Sequence, residues 1–162
     1  MFLLLIIFLV TLDLFSKVLV STLLMDVTFS FFDGALKFNP FLNTHSMSLF
    51  NGLVLDLNVS LKSLIIMNIV LLILTIPIYL YLKSIDFKNI FLSAILVLLV
   101  SGTIASTIDR LLWGGSLDFI LISDYIIDFK DIYLFLSIFI AILYMLKTLF
   151  SYFFKGKKSS QL

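Results

Sequence analysis

IFLSAILVLLVSGTIASTIDRLLWGGSLDFILISDYIIDFKDIYLFLSIFIAILYMLKTLF, residues Ile90–Phe150, is the stretch on which the fold turns. Two apolar runs, Ile90–Ile108 and Ile132–Phe154, enclose a short segment carrying most of the acids of this region. A membrane-crossing helix requires roughly 20 mostly apolar residues. Working outward, two further runs qualify, about Phe2–Met25 and Leu61–Leu82. The 162 residues therefore read as one all-α membrane domain with four transmembrane helices. Composition agrees: 62% of residues are hydrophobic and 13% charged, where a soluble domain is about half apolar and a quarter charged.

The same composition removes several classes of chemistry. Eleven Lys plus Arg against ten acids leave a formal charge of +1, too little to hold a polyanion, so no nucleic-acid partner is expected. Cysteine is absent and His45 is the lone histidine, so thiol nucleophiles, disulfides and thiolate metal sites drop out. No cofactor and no metal are expected. Chemistry is left to Asp, Lys, Arg, Asn, Ser and backbone groups.

Met1–Val10 resembles the core of a signal peptide, but no cation precedes it and Asp13 and Lys17 follow, so a retained anchor is expected. Pro77 is expected to kink or end the second span. Lys83 and Lys88 lie between spans two and three, and Lys155, Lys157 and Lys158 crowd the tail. Cationic short loops stay on the cytoplasmic side, which places both termini inside. The outer side then receives about Asp26–Lys62 and Asp109–Lys130, with nearly all the carboxylates.

In the first outer piece Val27, Phe29 and Phe31 alternate with polar residues, Leu36 and Phe38 flank Lys37, and Asp33-Gly34 stands between. That pattern predicts a small antiparallel β-hairpin or sheet with a two-residue turn, its aromatic side chains dipping into the outer leaflet. Ser46–Leu57 mixes Leu49, Leu53, Val54 and Leu57 with Asn51 and Asp56, the spacing of a short interfacial amphipathic helix.

Charges inside a span cost a few kcal/mol each on insertion scales and ask for a reason. Asp13 and Lys17 are four apart on one helical face, acid first. They serve either as a structural ion pair, with Lys17 snorkelling outward, or as the brace of an active site. Asp109-Arg110 closes the third span, Asp118 follows nine residues on, and Asp131 opens the fourth. Both spans end at one face, so these three acids can converge at a single depth. Two close carboxylates resist joint ionisation, leaving one protonated while the other accepts a proton from water. That is the requirement for metal-free hydrolysis. The alternatives are ordinary: Asp131 as a helix cap, Asp109-Arg110 as an interface ion pair, Asp124 and Asp128 as solvated loop acids, His45 as a surface side chain.

Several elements together resemble the lipoprotein signal peptidase (signal peptidase II) family. Asp13-Leu14-Phe15-Ser16-Lys17 is similar to its D-x-x-[ST]-K element, and Asn43-Thr44 stands at its N-x-G-x-x-F loop. Gly102 to Arg110 resembles G-A-L-G-N-x-x-D-R, Gly114 to Phe119 resembles G-x-V-x-D-F, and Asp128 to Ile132 resembles N-x-A-D-x. The chain departs from the pattern with Ala105 for Gly, Ser106 for Asn, His45 for Gly, Ser48 for Phe, Asp128 for Asn and Lys130 for Ala. Asp128 adds a negative charge beside the pair and Lys130 a positive one, which favours an ionised Asp131.

The resemblance implies a membrane aspartic endopeptidase with Asp118 and Asp131 as the catalytic pair. Asp131 is preferred over Asp128 because the long apolar run begins directly after it. Asp109 and Arg110 would shape the site, with Asp13, Lys17, Asn43, Ser106 and Asp128 in supporting or substrate-binding roles. The implied substrate is a prolipoprotein whose cysteine carries diacylglycerol, cut just before that cysteine at the outer face of the bacterial cytoplasmic membrane. Membrane lipids and substrate are the expected partners of a monomer. Two other readings stand beside it: a non-catalytic or altered-specificity paralogue acting as a scaffold, and a proton or ion transporter using Asp13, Lys17 and the outer acids.

Overall fold

The computed structural model describes residues 2–44, 60–86 and 89–159, with side chains to residue 152. The expected amphipathic helix, Asp56, His45, Ser48 and Lys88 lie outside the described residues. Helix α1 (Phe2–Leu19) continues through a π-helical segment, Val20–Leu24. Strands β1 (Phe29–Phe31) and β2 (Leu36–Asn43) follow, then α2 (Leu61–Ile85) and α3 (Ile90–Leu112). Strands β3 (Ser116–Ile122) and β4 (Tyr125–Ile127) lead into α4 (Phe129–Ser159). Four helices among the described residues are long and apolar enough to cross a membrane.

The outward faces of these helices are apolar and exposed, Ile66, Ile73, Phe135 and Phe150 among them, as expected where lipid rather than water is the solvent. Helix α3 is the hub. In its most apolar window 44% of residues are buried, against 17%, 17% and 11% for α1, α2 and α4. Helix α2 runs through Pro77 and ends only at Asp86. The ring removes one backbone donor but does not end the helix, so of the two expected outcomes, a kink or an end, the end is excluded.

The expected small antiparallel sheet is present and takes in more of the chain than the first outer piece. Four antiparallel strands stand in the order β1-β2-β3-β4, so the segment between α3 and α4 is strand, where only a loop was expected. Its alternation is masked because both faces of β3 are covered: Ser116, Leu117, Asp118 and Phe119 are all buried. The β1–β2 turn is also longer than two residues, since Phe31 pairs with Leu36. Phe32, Asp33 and Gly34 all take positive φ there. Strand β2 continues past Pro40, and the register with β3 slips between Phe38 and Phe41. This is a bulge, a position where a strand tolerates proline.

Aromatic packing ties the sheet to the helices. Phe29 stacks on Phe38 at 4.8 Å between ring centres, Phe38 meets Phe119 at 6.0 Å, and Phe119 meets Phe129 of α4 at 5.7 Å. Leu117 and Phe119 close this apolar layer against Val20. On the opposite face of β3, Ser116 and Asp118 share a side because strand side chains alternate.

Candidate active site

Two local devices bring the acids together. At the end of α3, Trp113 N–H donates to Asp109 O at 2.8 Å and Gly114 follows with φ 65°. That left-handed residue turns the chain sharply into β3. At the start of α4, Asp131 N–H donates to Asp128 Oδ1 at 3.1 Å and Asp128 N–H donates to Asp131 Oδ2 at 3.3 Å. This is a reciprocal capping box written with two aspartates. Asp131 therefore does cap the helix, and its Oδ1 still faces the cluster, 3.7 Å from Lys130 Nζ.

Gly102 sets the spacing of α3 and α4. A Cβ there would lie 2.7 Å from Leu134 Cγ and 3.1 Å from Lys130 O, so only hydrogen lets the start of α4 approach this closely. Gly115 does the same beside β2, where a Cβ would meet Asn43 O at 2.5 Å. Asn43 pairs in register with Ser116, two residues from Asp118.

Asp13, Lys17, Asp109, Asp118, Asp128, Lys130 and Asp131 form one buried cluster. Lys17 Nζ donates to Asp13 Oδ2 at 2.9 Å, lies 2.6 Å from Asp128 Oδ2 and donates to Asp109 Oδ2. Its side chain is 0% exposed. The expected snorkelling of Lys17 does not occur, because three acids on other turns and helices take all its protons. Asp13 Oδ1 also accepts from the Lys130 N–H at 3.0 Å, so α1 caps the first turn of α4. Asp128 is fully buried, not solvated, whereas Asp124 is exposed at the β3–β4 turn.

Ser106 holds the flank of the site. Arg110 Nη1 donates to Ser106 O at 2.7 Å and to its Oγ, and Asn68 Nδ2 of α2 donates to that same Oγ at 3.2 Å. Asn68, Ser116 and Tyr133 were not among the expected site residues. Ser116 was readable in principle, two residues before Asp118 in a run of strand-forming residues. Tyr133 lies two residues beyond the α4 capping box, and its buried hydroxyl has no hydrogen-bond partner among the described residues. Asn68 carries no local signal beyond being polar inside a span.

One carboxylate oxygen each from Asp118, Asp128 and Asp131 lies within 4.8 Å of the others. The same three acids are all ion-paired to Lys130 Nζ. A divalent cation would have to displace that ammonium, so the donor set does not fit a metal. Asp118 Oδ1 accepts from Ser116 Oγ, while Oδ2 is buried without a hydrogen-bond partner among the described residues. Burial pushes the Asp118 carboxyl up to about 7; Asp128 and Asp131 add to the rise, and Lys130 and Ser116 oppose it. Burial would raise Asp128 as well, but Lys130 and Lys17 outweigh it and hold that carboxyl at about 2. Asp128 is thus a fixed anion, and Asp118 is poised to keep or release a proton near neutrality.

The fold and site define a multi-pass membrane protein with buried carboxylates gathered where its sheet meets its helices. The Signal peptidase (SPase) II family profile matches residues 5–147, and the chain belongs to that family. It is therefore a membrane signal peptidase, a peptide hydrolase whose family acts on lipoprotein substrates. A solved bacterial membrane enzyme at 2.3 Å resolution shares the fold, with a TM-score of 0.75 at 24% identity over 90% of this chain and 87% of that one. A second, at 1.9 Å, superposes with a TM-score of 0.73 at 23% identity, covering 90% of this chain and 92% of its own. The search of curated proteins returned no match.

Proposed function

We propose that the chain is an aspartic endopeptidase that removes signal peptides from diacylglyceryl-modified prolipoproteins, with Asp118 and Asp131 as the hydrolytic pair. The observation that carries this reading is the approach of the two carboxylates to within 4.8 Å beside the unpartnered Asp118 Oδ2. The pair holds one proton, and the surroundings of Asp118 favour its carrying that proton. Ionised Asp131 takes a proton from water as the water oxygen attacks the scissile carbonyl carbon. Asp118 gives its proton to the carbonyl oxygen. When the intermediate collapses, the amide nitrogen takes a proton from Asp131, the C–N bond breaks and the tetrahedral hydroxyl returns its proton to Asp118. A new carboxylic acid and a new amine result, and the pair is restored.

The lipid on the substrate cysteine keeps the cleavage site at the membrane surface, which is where a sheet beside the bundle can hold it. Phe31, Phe32 and Phe41 are exposed on that sheet and suit contact with lipid or substrate chains. The orientation that agrees with the cationic links has both termini in the cytoplasm of a bacterial cell and the sheet outside. Transport is the weaker reading. Among the polar residues that would continue a path, Thr75 donates to Leu71 O at 2.7 Å and Ser101 to Val97 O at 2.6 Å. Ser93 Oγ accepts from Lys83 Nζ at 3.1 Å. Each is engaged locally.

The test is cleavage of a synthetic prolipoprotein peptide carrying a diacylglyceryl cysteine by purified protein in detergent. Asp118→Asn and Asp131→Asn should each lower kcat by about 100- to 10,000-fold, and EDTA should leave the rate unchanged. Full activity in either variant overturns the pair, and loss of activity with EDTA overturns the metal-free mechanism.

A further inference from the structure

Lys130 stands where the family element before the last helix carries alanine, beside Asp128 where that element carries asparagine. Its side chain does not escape to solvent: the residue is 2% exposed. Its Nζ donates to Ser116 Oγ at 2.6 Å and to Asp128 Oδ2. The same atom lies 3.4 Å from Asp118 Oδ1, 3.4 Å from Asp109 Oδ2 and 3.7 Å from Asp131 Oδ1. An ammonium has three protons and here faces four carboxylates and a hydroxyl. It is a shared counter-charge, not the partner of any one acid.

We propose that Lys130, acting together with Asp128, is a positioning residue that sets the pH range over which Asp118 and Asp131 hold a single proton between them. The inference rests on the reading of those two acids as the hydrolytic pair. It adds a device that a neutral asparagine and alanine at the two positions would lack.

The neighbouring charges make Lys130 the residue that decides this. Helix α1 contributes Asp13 and Lys17, α3 contributes Asp109 and Arg110, β3 contributes Asp118, and the start of α4 contributes Asp128, Asp131 and Tyr133. Lys17 is spent on Asp13, Asp109 and Asp128. Arg110 donates to Ser106. Among the described residues, the ion pair of Asp118 is with Lys130. An adjacent cation favours the ionised form of a carboxyl and an adjacent anion disfavours it. Asp128 anchors the ammonium and offsets part of its charge, so removing either one changes the field felt by the pair.

The experiment compares pH–rate profiles on the same lipidated peptide for the parent protein, K130M, K130R, D128N and D128N/K130A. K130M should move the profile to higher pH by about one to three units. D128N should move it lower, and K130R, which keeps the charge, should hold the parent position even if its rate falls. Relative to D128N, the double variant should shift back upward. That comparison gives the same readout without leaving an unpaired charge in the core. A K130M profile coincident with the parent, or a double variant coincident with D128N, overturns the proposal and leaves Lys130 a packing residue. Retained activity in Asp118→Asn or Asp131→Asn, run in parallel, would instead remove the hydrolytic pair itself.

Discussion

The corner of the buried cluster around Lys17 and the corner around Asp118 use the same residue types to opposite ends. At Lys17 one ammonium meets three carboxylates, those of Asp13, Asp109 and Asp128, and every ammonium proton has an acceptor, while Asp109 Oδ1 is buried without a hydrogen-bond partner among the described residues. At Asp118 one oxygen takes a serine hydroxyl while the other is buried and unbonded. A saturated buried charge network braces helices, because breaking it strands a charge in an apolar medium. An unsaturated carboxyl is costly to bury and is available for proton transfer. On the proposed function, the Lys17 corner braces the helices and the Asp118 corner carries the chemistry.

Removing Lys17 should expose that division most strongly. Lys17→Met leaves three acids short of a counter-charge and should cost about 3–5 kcal/mol, read as loss of monodisperse protein in detergent and a lowered Tm. If instead the variant stays folded and only its activity falls, the Lys17 corner is part of the chemistry and the division fails. Next in size, Gly102→Ala forces Leu134 and the Lys130 carbonyl away from α3 and should cost about 1–3 kcal/mol. Because α4 carries Lys130 and Asp131 together, kcat should fall along with Tm, and a drop in Tm without a drop in kcat would show that the pair tolerates displacement.

A third, smaller effect is the pH dependence itself. Burial pushes the Asp118 carboxyl up to about 7, so a reaction that needs its proton should slow as pH rises past neutrality, approaching tenfold per unit. A rate that keeps climbing to pH 9 would make Asp118 the base. The smallest effect is expected at Asp124, exposed at the β3–β4 turn. Asp124→Asn should leave Tm and rate within error, marking the edge of the functional cluster.

Much of the frame was readable along the chain. Four apolar runs announce four helices, and the Val27–Phe31 alternation with Asp33-Gly34 announces a hairpin. The neighbourhood of the acids followed from topology alone, since spans three and four end at the same face. Strands β3 and β4 were not readable. A strand covered on both faces loses the alternation that identifies it, and Ser116-Leu117-Asp118-Phe119 is buried throughout. Along the sequence, Lys17 stays open between a surface-reaching ion pair and a brace for a related reason. Its position four residues from Asp13 predicts one ion pair, and nothing local predicts a second with Asp109, 92 residues away. Asp128 was likewise left open as a solvated loop acid, because its burial depends on α1 and β3 meeting the start of α4.

Hydropathy and composition are properties of the chain itself, so the sequence determined the number of spans, the absence of thiols and the gathering of acids at one end. Which acids share a counter-charge, and which keep an oxygen without a partner among the described residues, as Asp109 and Asp118 do, was decided only by the tertiary structure. Ion pairing depends on distances between side chains from different helices and on the water excluded between them, and neither quantity exists until those helices have packed.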